Sequence, residues 1–476
     1  MSSFIKNVSE LTFSSIFAQG LGILIAPFLT RLFAPEAFGI AGIFASITSI
    51  MSIFTCFRYE LALVLPDRDE QAENLLAGTL LLSICTSGIS VLLIYFFKKN
   101  ILNALNSMEL GEYIWFIPPM CLMIGVFAVA NYWNTRKRKF KRLSIIKVIN
   151  SLSTNSIKLA MGLCGYASGG ILIGATIIGQ FIANLLLWPI IWRSDKETFK
   201  AHIKIEKIIL ALKKFKRFPQ YVIWSGLLVD FSMKLPVFFI AYFFSSKELG
   251  FFVMTQSVLK APLNILGQAI SQVFYQKAAS INQNINNLSV IIENTFNFLL
   301  SFSLLPILIL SVFGKDFISL LFGSNWNEAG IYAQIFSFSL LVEFSSAPMG
   351  SLFNVLGKQK EALFFNILLM LFRLLFITVG IFTGNIYYTI IFFVLGDILG
   401  RSLKFYYIFN ISGFSIKKII LNLFKTLGYA SPFLIIILAT NFLLTSNPIT
   451  ILLQSTLFII IYYFLIIKKT DIVKKL

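Results

Sequence analysis

Apolar runs of about 20 residues, separated by short polar breaks, recur from near the start of this 476-residue chain to its end. A run of that length forms a helix of about 30 Å, the thickness of a hydrocarbon core. Read run by run, the pattern predicts about fourteen spanning helices, at 11–33, 37–57, 74–97, 113–134, 145–166, 168–192, 219–244, 248–272, 290–314, 328–356, 361–383, 386–409, 420–445 and 447–467. The first run follows a polar start, Met1 to Glu10, and is too long for a signal-peptide core, so it reads as the first span. Outer connections are brief. Gly165–Gly170, Thr383–Ile386 and Thr445–Pro448 are turns, and the longest, Lys98–Glu112, leaves no room for a catalytic domain. The predicted fold class is an all-α polytopic membrane protein.

Composition agrees. The chain is 57% hydrophobic and 13% charged, against roughly 45–50% and 25% in soluble domains. A net charge of +19 invites a nucleic-acid reading, but such binders carry their bases on folded soluble surface. Here the bases sit between apolar runs. With the N-terminus inside, 31 of the 40 lysines and arginines fall in inner segments, five in outer ones and four within spans. A wrong helix count would scramble that alternation, so an even number of spans with both ends cytoplasmic follows from the positive-inside rule. The bacterial inner membrane is the expected location. Cys56, Cys85, Cys121 and Cys164 lie in or at the ends of apolar runs, without CxxC spacing, and the one histidine is His202. No metal site is supported, the cysteines read as small hydrophobes, and no cofactor is implied.

The longest inner segment, 193–218, divides the chain. Its stretch Ile203–Phe215 alternates apolar and basic residues at helical spacing, which suits either an interfacial helix on an anionic leaflet or a solvated charged linker. The sequences on its two sides resemble each other. Leu32-Phe-Ala-Pro-Glu-Ala-Phe-Gly39 matches Phe243-Phe-Ser-Ser-Lys-Glu-Leu-Gly250, and Trp133–Leu143 matches Phe353–Leu363, at offsets of 211 and 220 residues. Each offset is six spans. An even number preserves orientation, so the halves are expected to be related by an axis along the membrane normal. The predicted organisation is a six-helix bundle over 1–192, the basic linker over 193–218, a second six-helix bundle over 219–410, and two further spans with a basic tail over 411–476.

Ionisable residues inside spans cost about 2.5–3.5 kcal/mol each on insertion scales and usually face a cavity. Lys158, Lys234, Lys260 and Arg373 fall well inside, and the nearby acids include Asp230, Glu343 and Asp397. Lys158, Lys234, Lys260 and Arg373 are the candidate cavity cations. Asp230 and Lys234, four apart on one helical face, either serve a cavity or pair with each other. Lys260 also suits a snorkelling position. Cations outnumbering acids point to an anionic cargo such as a pyrophosphate, whereas an exporter of cations would want interior carboxylates. Arg58, Glu60, Asp230, Glu343, Asp397 and Arg31 are gating or ion-coupling candidates. Arg58 and Glu60, two apart, are not expected to share a helical face, so separate partners are predicted.

Arg58-Tyr-Glu-Leu-Ala-Leu-Val-Leu-Pro66, closing span two, resembles the signature region of the polysaccharide flippases of the multidrug/oligosaccharidyl-lipid/polysaccharide exporter superfamily. Leu321–Ala329 and Asn354–Lys360 are similar to segments of that family. The resemblance covers nearly the whole chain in length and topology. It implies two bundles around a central cavity opened alternately to each side, and a cargo of undecaprenyl-pyrophosphate-linked oligosaccharide. It also implies work beside membrane lipids and beside the polymerase and chain-length proteins of a surface-polysaccharide or O-antigen pathway. Two other functions stand against it: a small-molecule exporter of the same superfamily, and a membrane polysaccharide polymerase, which the short outer loops disfavour. No P-loop is present, so energy would come from ion gradients or mass action.

Overall fold

Helix dominates because a backbone in lipid must satisfy its own polar groups. The computed structural model describes residues 2–279, 285–413, 416–444 and 447–469. Among these, fourteen helices have 20 or more residues: α1 (Ser2–Leu32), α2 (Pro35–Thr55), α3 (Asp69–Ala104), α4 (Ile117–Arg136), α5 (Phe140–Leu163), α6 (Gly169–His202), α8 (Ile223–Phe243), α9 (Ser246–Ala279), α10 (Ile285–Phe322), α11 (Asn327–Ser346), α13 (Gln359–Ile381), α14 (Ile386–Ile411), α15 (Ile416–Leu444) and α16 (Pro448–Lys469). Two shorter ones are α7 (Ile205–Lys214) and the single turn α12 (Leu352–Val355). Thr445, in the turn expected at Thr445–Pro448, and Lys474 and Lys475 of the tail lie outside the described residues.

Thirteen of the long helices are apolar enough to cross a membrane, and α5 falls short. Its polar side chains explain the difference. Lys147 Nζ reaches Ser15 Oγ at 3.4 Å and Ser151 Oγ donates to the Ala18 carbonyl at 2.9 Å, both on α1. On the other side Asn150 Nδ2 donates to Gln180 Oε1 of α6 at 3.0 Å. These groups face neighbouring helices, where interhelical hydrogen bonds substitute for water.

The chain divides into two compact units, Met1–Val253 and Met254–Leu476. In the first, α3, α4 and α6 meet around Leu75, Trp133, Ala183 and Leu187, all at most 1% exposed. In the second, α10 packs on α11, α15 and α16, and α13 packs on α14. One core there joins Leu304, Ile309, Ile437 and Tyr462. Many large apolar side chains point outward, among them Phe96 on α3 and Leu453 on α16, as lipid-facing positions should. Cys56 and Cys121 are buried in keeping with a packing role, but Cys85 and Cys164 are exposed, so packing accounts for only two of the four.

Candidate functional site

The second unit holds a polar cluster in the middle of its helices. α14 carries Gly396-Asp-Ile-Leu-Gly400, two small residues one turn apart. A Cβ at Gly396 would lie 2.8 Å from the Phe372 carbonyl oxygen, and one at Gly400 would lie 2.7 Å from Leu369 Cδ1, both on α13. The glycines therefore let the two backbones approach closely, as small residues spaced by four do in membranes. That approach sets Arg373 of α13 against Asp397 of α14. Arg373 donates to Asp397 Oδ1 from Nε at 2.8 Å and from Nη2 at 2.6 Å. Arg401, one turn along α14, donates from Nε to Asp397 Oδ2 at 2.8 Å. Its Nη2 reaches Glu343 Oε1 of α11 at 3.2 Å.

Arg373 and Asp397 are 5% and 4% exposed. Such a pair offsets a desolvation penalty of several kcal/mol per ion only through good geometry and full hydrogen bonding. Two arginines on both oxygens of one carboxylate provide that geometry. Lys260 of α9 lines the same cavity with Gln256, Phe336 and Phe393. The cavity has about 20 Å³ of room, enough for about one water molecule. Three cations against two carboxylates leave the cluster with an excess positive charge. Among the described residues no carboxylate lies in ion-pair range of Lys260. Beyond Arg401, Lys404 Nζ donates to Asn366 Oδ1 at 2.8 Å and sits 5.6 Å from the Phe353 ring centre.

The first unit places polar groups along one face of α8. Gly226, Asp230 and Lys234 follow at intervals of four, about 6 Å apart along the axis. Ser49 Oγ of α2 donates to Asp230 Oδ2 at 2.8 Å, and among the described residues no ion pair joins Asp230 to Lys234. The Arg58 guanidinium lies on Gly226, where a Cβ would come within 2.7 Å of Nη2. Arg58 and Glu60 do meet, at 3.8 Å, contrary to the helical expectation. Phe57 and Arg58 have φ of 49° and 61°, so α2 ends there and the chain turns back before Glu60.

The rest of this segment is tied to the start of α3 and to the ends of α4 and α7. The Tyr59 hydroxyl donates to the Leu212 carbonyl in the last turn of α7 at 3.0 Å, satisfying an acceptor that the helix end leaves open. Arg136 Nη1 donates to the Pro66 carbonyl at 2.6 Å while Nη2 meets Asp69 at 2.8 Å. Burial holds the Glu60 carboxyl above the usual carboxylate range, with its backbone hydrogen bond and Arg58 pulling the other way. On α3, Glu73 is fully buried and lies 2.6 Å from His202 Nδ1. Asn74 Nδ2 donates to the His202 carbonyl at 3.0 Å, and its Oδ1 accepts from Lys204 N at 3.0 Å.

Of the residues singled out from sequence, Lys260, Glu343, Arg373 and Asp397 come together in one cluster. Arg58, Asp230 and Lys234 share the α8 face, with Glu60 beside Arg58. Lys158 stands apart on α5, half-buried, and among the described residues it makes no hydrogen bond or ion pair. Arg31 is exposed and bonds back to the Pro27 carbonyl of its own helix at 3.4 Å. Sequence reading missed Arg401, Ser49, Tyr59, Glu73 and the pairing of His202. The Asp397/Arg401 spacing of four and the Gly396/Gly400 pair were the available signals.

Comparison with known proteins identifies a family and a fold. The model of a family described as "Polysaccharide biosynthesis protein" matches residues 28–331. Among curated proteins none matches. The structure described as "Lipid II flippase MurJ, inward closed conformation" is similar at a TM-score of 0.77 and 13% identity, over 96% of this chain and 99% of that one. An inward-facing multidrug resistance MATE family transporter of the MOP superfamily is similar at a TM-score of 0.65 and 14% identity, over 84% of this chain and 94% of that one. A MOP superfamily transporter from Pyrococcus furiosus, whose description speaks of a reversed polarity of its binding pocket, scores 0.52 at 14% identity, over 86% and 96%.

Proposed function

This chain belongs to the polysaccharide biosynthesis protein family, and we propose that it is a flippase for lipid-linked oligosaccharide, moving undecaprenyl-pyrophosphate-linked repeat units across the cytoplasmic membrane. The observation that carries the reading is the buried cluster of Lys260, Arg373 and Arg401 around Asp397 and Glu343. Its excess of cations suits a pyrophosphate, and guanidinium forks suit phosphate oxygens as well as they suit carboxylates. Asp397 and Glu343 act as stand-in anions that keep the arginines paired while no cargo is bound. Arriving phosphate oxygens replace Glu343 on Arg401 and engage Lys260. The present cavity holds about one water, so cargo enters a more open state, with the sugars crossing in water and the lipid tail in the bilayer. Alternating access of the two bundles supplies the opening. The positive-inside distribution supports cytoplasmic N- and C-termini.

The same superfamily contains drug exporters. Two observations favour the flippase: the cationic excess, and similarity that extends over 96% of this chain for the lipid II flippase against 84% for the MATE transporter. The test is reconstitution of the purified chain into vesicles with a fluorescent lipid-linked oligosaccharide in one leaflet. Protein-dependent loss of leaflet asymmetry is the expected result. Transport of a cationic dye without movement of the lipid-linked sugar would reverse the assignment.

A further inference from the structure

Helix α7 is short, basic and only partly covered. Ile208 is buried, and its Cγ2 and the Leu212 Cδ1 approach Gly78 of α3 so closely that a Cβ there would lie 2.9 and 3.2 Å away. Three apolar residues on the same ten-residue helix remain open: Ile205 is 78% exposed, Leu210 65% and Ile209 48%. In a purely aqueous setting that exposure is unfavourable. Over 204–217 the chain has six bases, Lys204, Lys207, Lys213, Lys214, Lys216 and Arg217, against one acid, Glu206. Lys207 pairs with Glu70 and Lys214 donates to Gln71. Lys204, Lys213, Lys216 and Arg217 are exposed, and among the described residues none of them has an acidic partner.

Depth is set by two independent features. Gly78 lies just inside the apolar run of α3, which begins near Leu75, so α7 packs at the boundary between polar and apolar surface. Exposed aromatic residues bracket the basic segment along the chain. Trp192 near the inner end of the α6 span is 49% exposed, and Tyr221 and Trp224, immediately after the basic segment, are 70% and 59% exposed. Tryptophan and tyrosine gather where a bilayer meets water.

We propose that α7 docks on acidic phospholipid headgroups, with Ile205 and Ile209 entering the headgroup–acyl boundary and Lys213, Lys216 and Arg217 reading the negative charge. This goes beyond the transport reading and does not depend on the cargo. The docked helix is not isolated from the rest of the unit. Tyr59 holds its last turn, and the Glu73–His202 and Asn74 contacts hold its first. Lipid charge therefore acts on the loop that also carries Arg58 and Glu60. Each exposed base near an anionic surface strengthens attachment by roughly fivefold, so removing three weakens it by roughly a hundredfold.

The test uses the full-length chain in nanodiscs, in a variant lacking its four cysteines, with Ile209→Cys carrying an environment-sensitive NBD dye. Lipids spin-labelled near the headgroup quench the dye if it lies at that depth. Quenching is expected to rise roughly threefold between zwitterionic lipid and a mixture with about a third phosphatidylglycerol. It should fall back to the zwitterionic level in Lys213→Gln/Lys216→Gln/Arg217→Gln. Leu81→Cys on the lipid-facing side of α3, 52% exposed, reports insertion and should be quenched alike in every case. With that control intact, Ile209 quenching independent of lipid charge overturns the proposal, as does quenching that survives the triple substitution or is absent throughout.

Discussion

Gly39 of α2 and Gly250 of α9 make the same contact in reverse: a Cβ on Gly39 would overlap the Ser246 carbonyl oxygen, and a Cβ on Gly250 would overlap the Pro35 carbonyl oxygen. Pro35 and Ser246 are separated by 211 residues, as are Gly39 and Gly250, which is the offset of the repeated Leu32–Gly39 and Phe243–Gly250 segments. The starts of α2 and α9 therefore meet backbone to backbone at the positions that the repeated segments put in register. Gly39→Val and Gly250→Val should each destabilise the folded protein by about 1–3 kcal/mol, since backbone rather than a flexible side chain must move. Thermal unfolding in detergent checks this, and an unchanged midpoint in both would contradict the close packing.

Asp397 bridges Arg373 and Arg401, so its neutralisation removes the carboxylate against the buried Arg373 guanidinium and leaves Glu343 as the one acid on Arg401. Asp397→Asn should cost about 3–5 kcal/mol and lower the unfolding temperature. The paired change Arg373→Met/Asp397→Leu removes both charges of the inner pair and should recover most of that loss without recovering transport. Equal destabilisation by the single and double variants would argue against a charge-driven effect.

Lys260 lines the cluster cavity without an ion-pair partner among the described residues, so its loss removes positive charge without stranding an acid. Lys260→Gln should abolish surface polysaccharide while leaving membrane abundance and unfolding temperature near the parent's. Lys234→Ala, on the α8 face, should behave in the same way, and Arg373→Ala should lose both polysaccharide and stability. Parental polysaccharide in Lys260→Gln and Lys234→Ala would remove the anionic-cargo reading.

Tyr59 contributes one hydroxyl to the end of α7. Tyr59→Phe keeps the ring in its core and removes that bond, worth about 1 kcal/mol. Faster amide exchange confined to 204–216, with global stability little changed, is the expected signature. Exchange unchanged in that segment would show that the bond does not hold the helix.

Glu60 supplies a pH dependence with a definite sign. Its carboxyl titrates above the ordinary value because burial disfavours the charge. A group raised in the folded state contributes stability that is fully present below its unfolded pKa, about 4.3, and is lost as pH rises through the folded value. Glu60→Gln should therefore leave the unfolding temperature at pH 4 near the parent's and raise it at pH 8. A variant less stable than the parent at pH 8 would mean that the Arg58 contact outweighs the desolvation.

The helices were legible because lipid imposes one rule on every span, an apolar run of fixed length. Even α5, whose lysines and asparagines keep its hydropathy below that of the thirteen membrane-capable helices, is legible as a helix: the apolar run at 145–166 corresponds to Phe140–Leu163. The site was legible only in part. Arg401 read as a topogenic inner charge, since sequence does not show that Gly396 and Gly400 draw α13 against its helix. The Arg58–Glu60 contact depends on two left-handed residues that no glycine announces. Glu73 and His202 are 129 positions apart, and only the packing of α3 with the end of α6 makes them neighbours.

Translocation is tested by locating the lipid-linked repeat units that accumulate in a strain lacking this gene. Units trapped on the cytoplasmic face are expected, with surface polymer lost and then restored by the intact gene. Unpolymerised units on the outer face, or no change in either pool, would refute translocation by this protein.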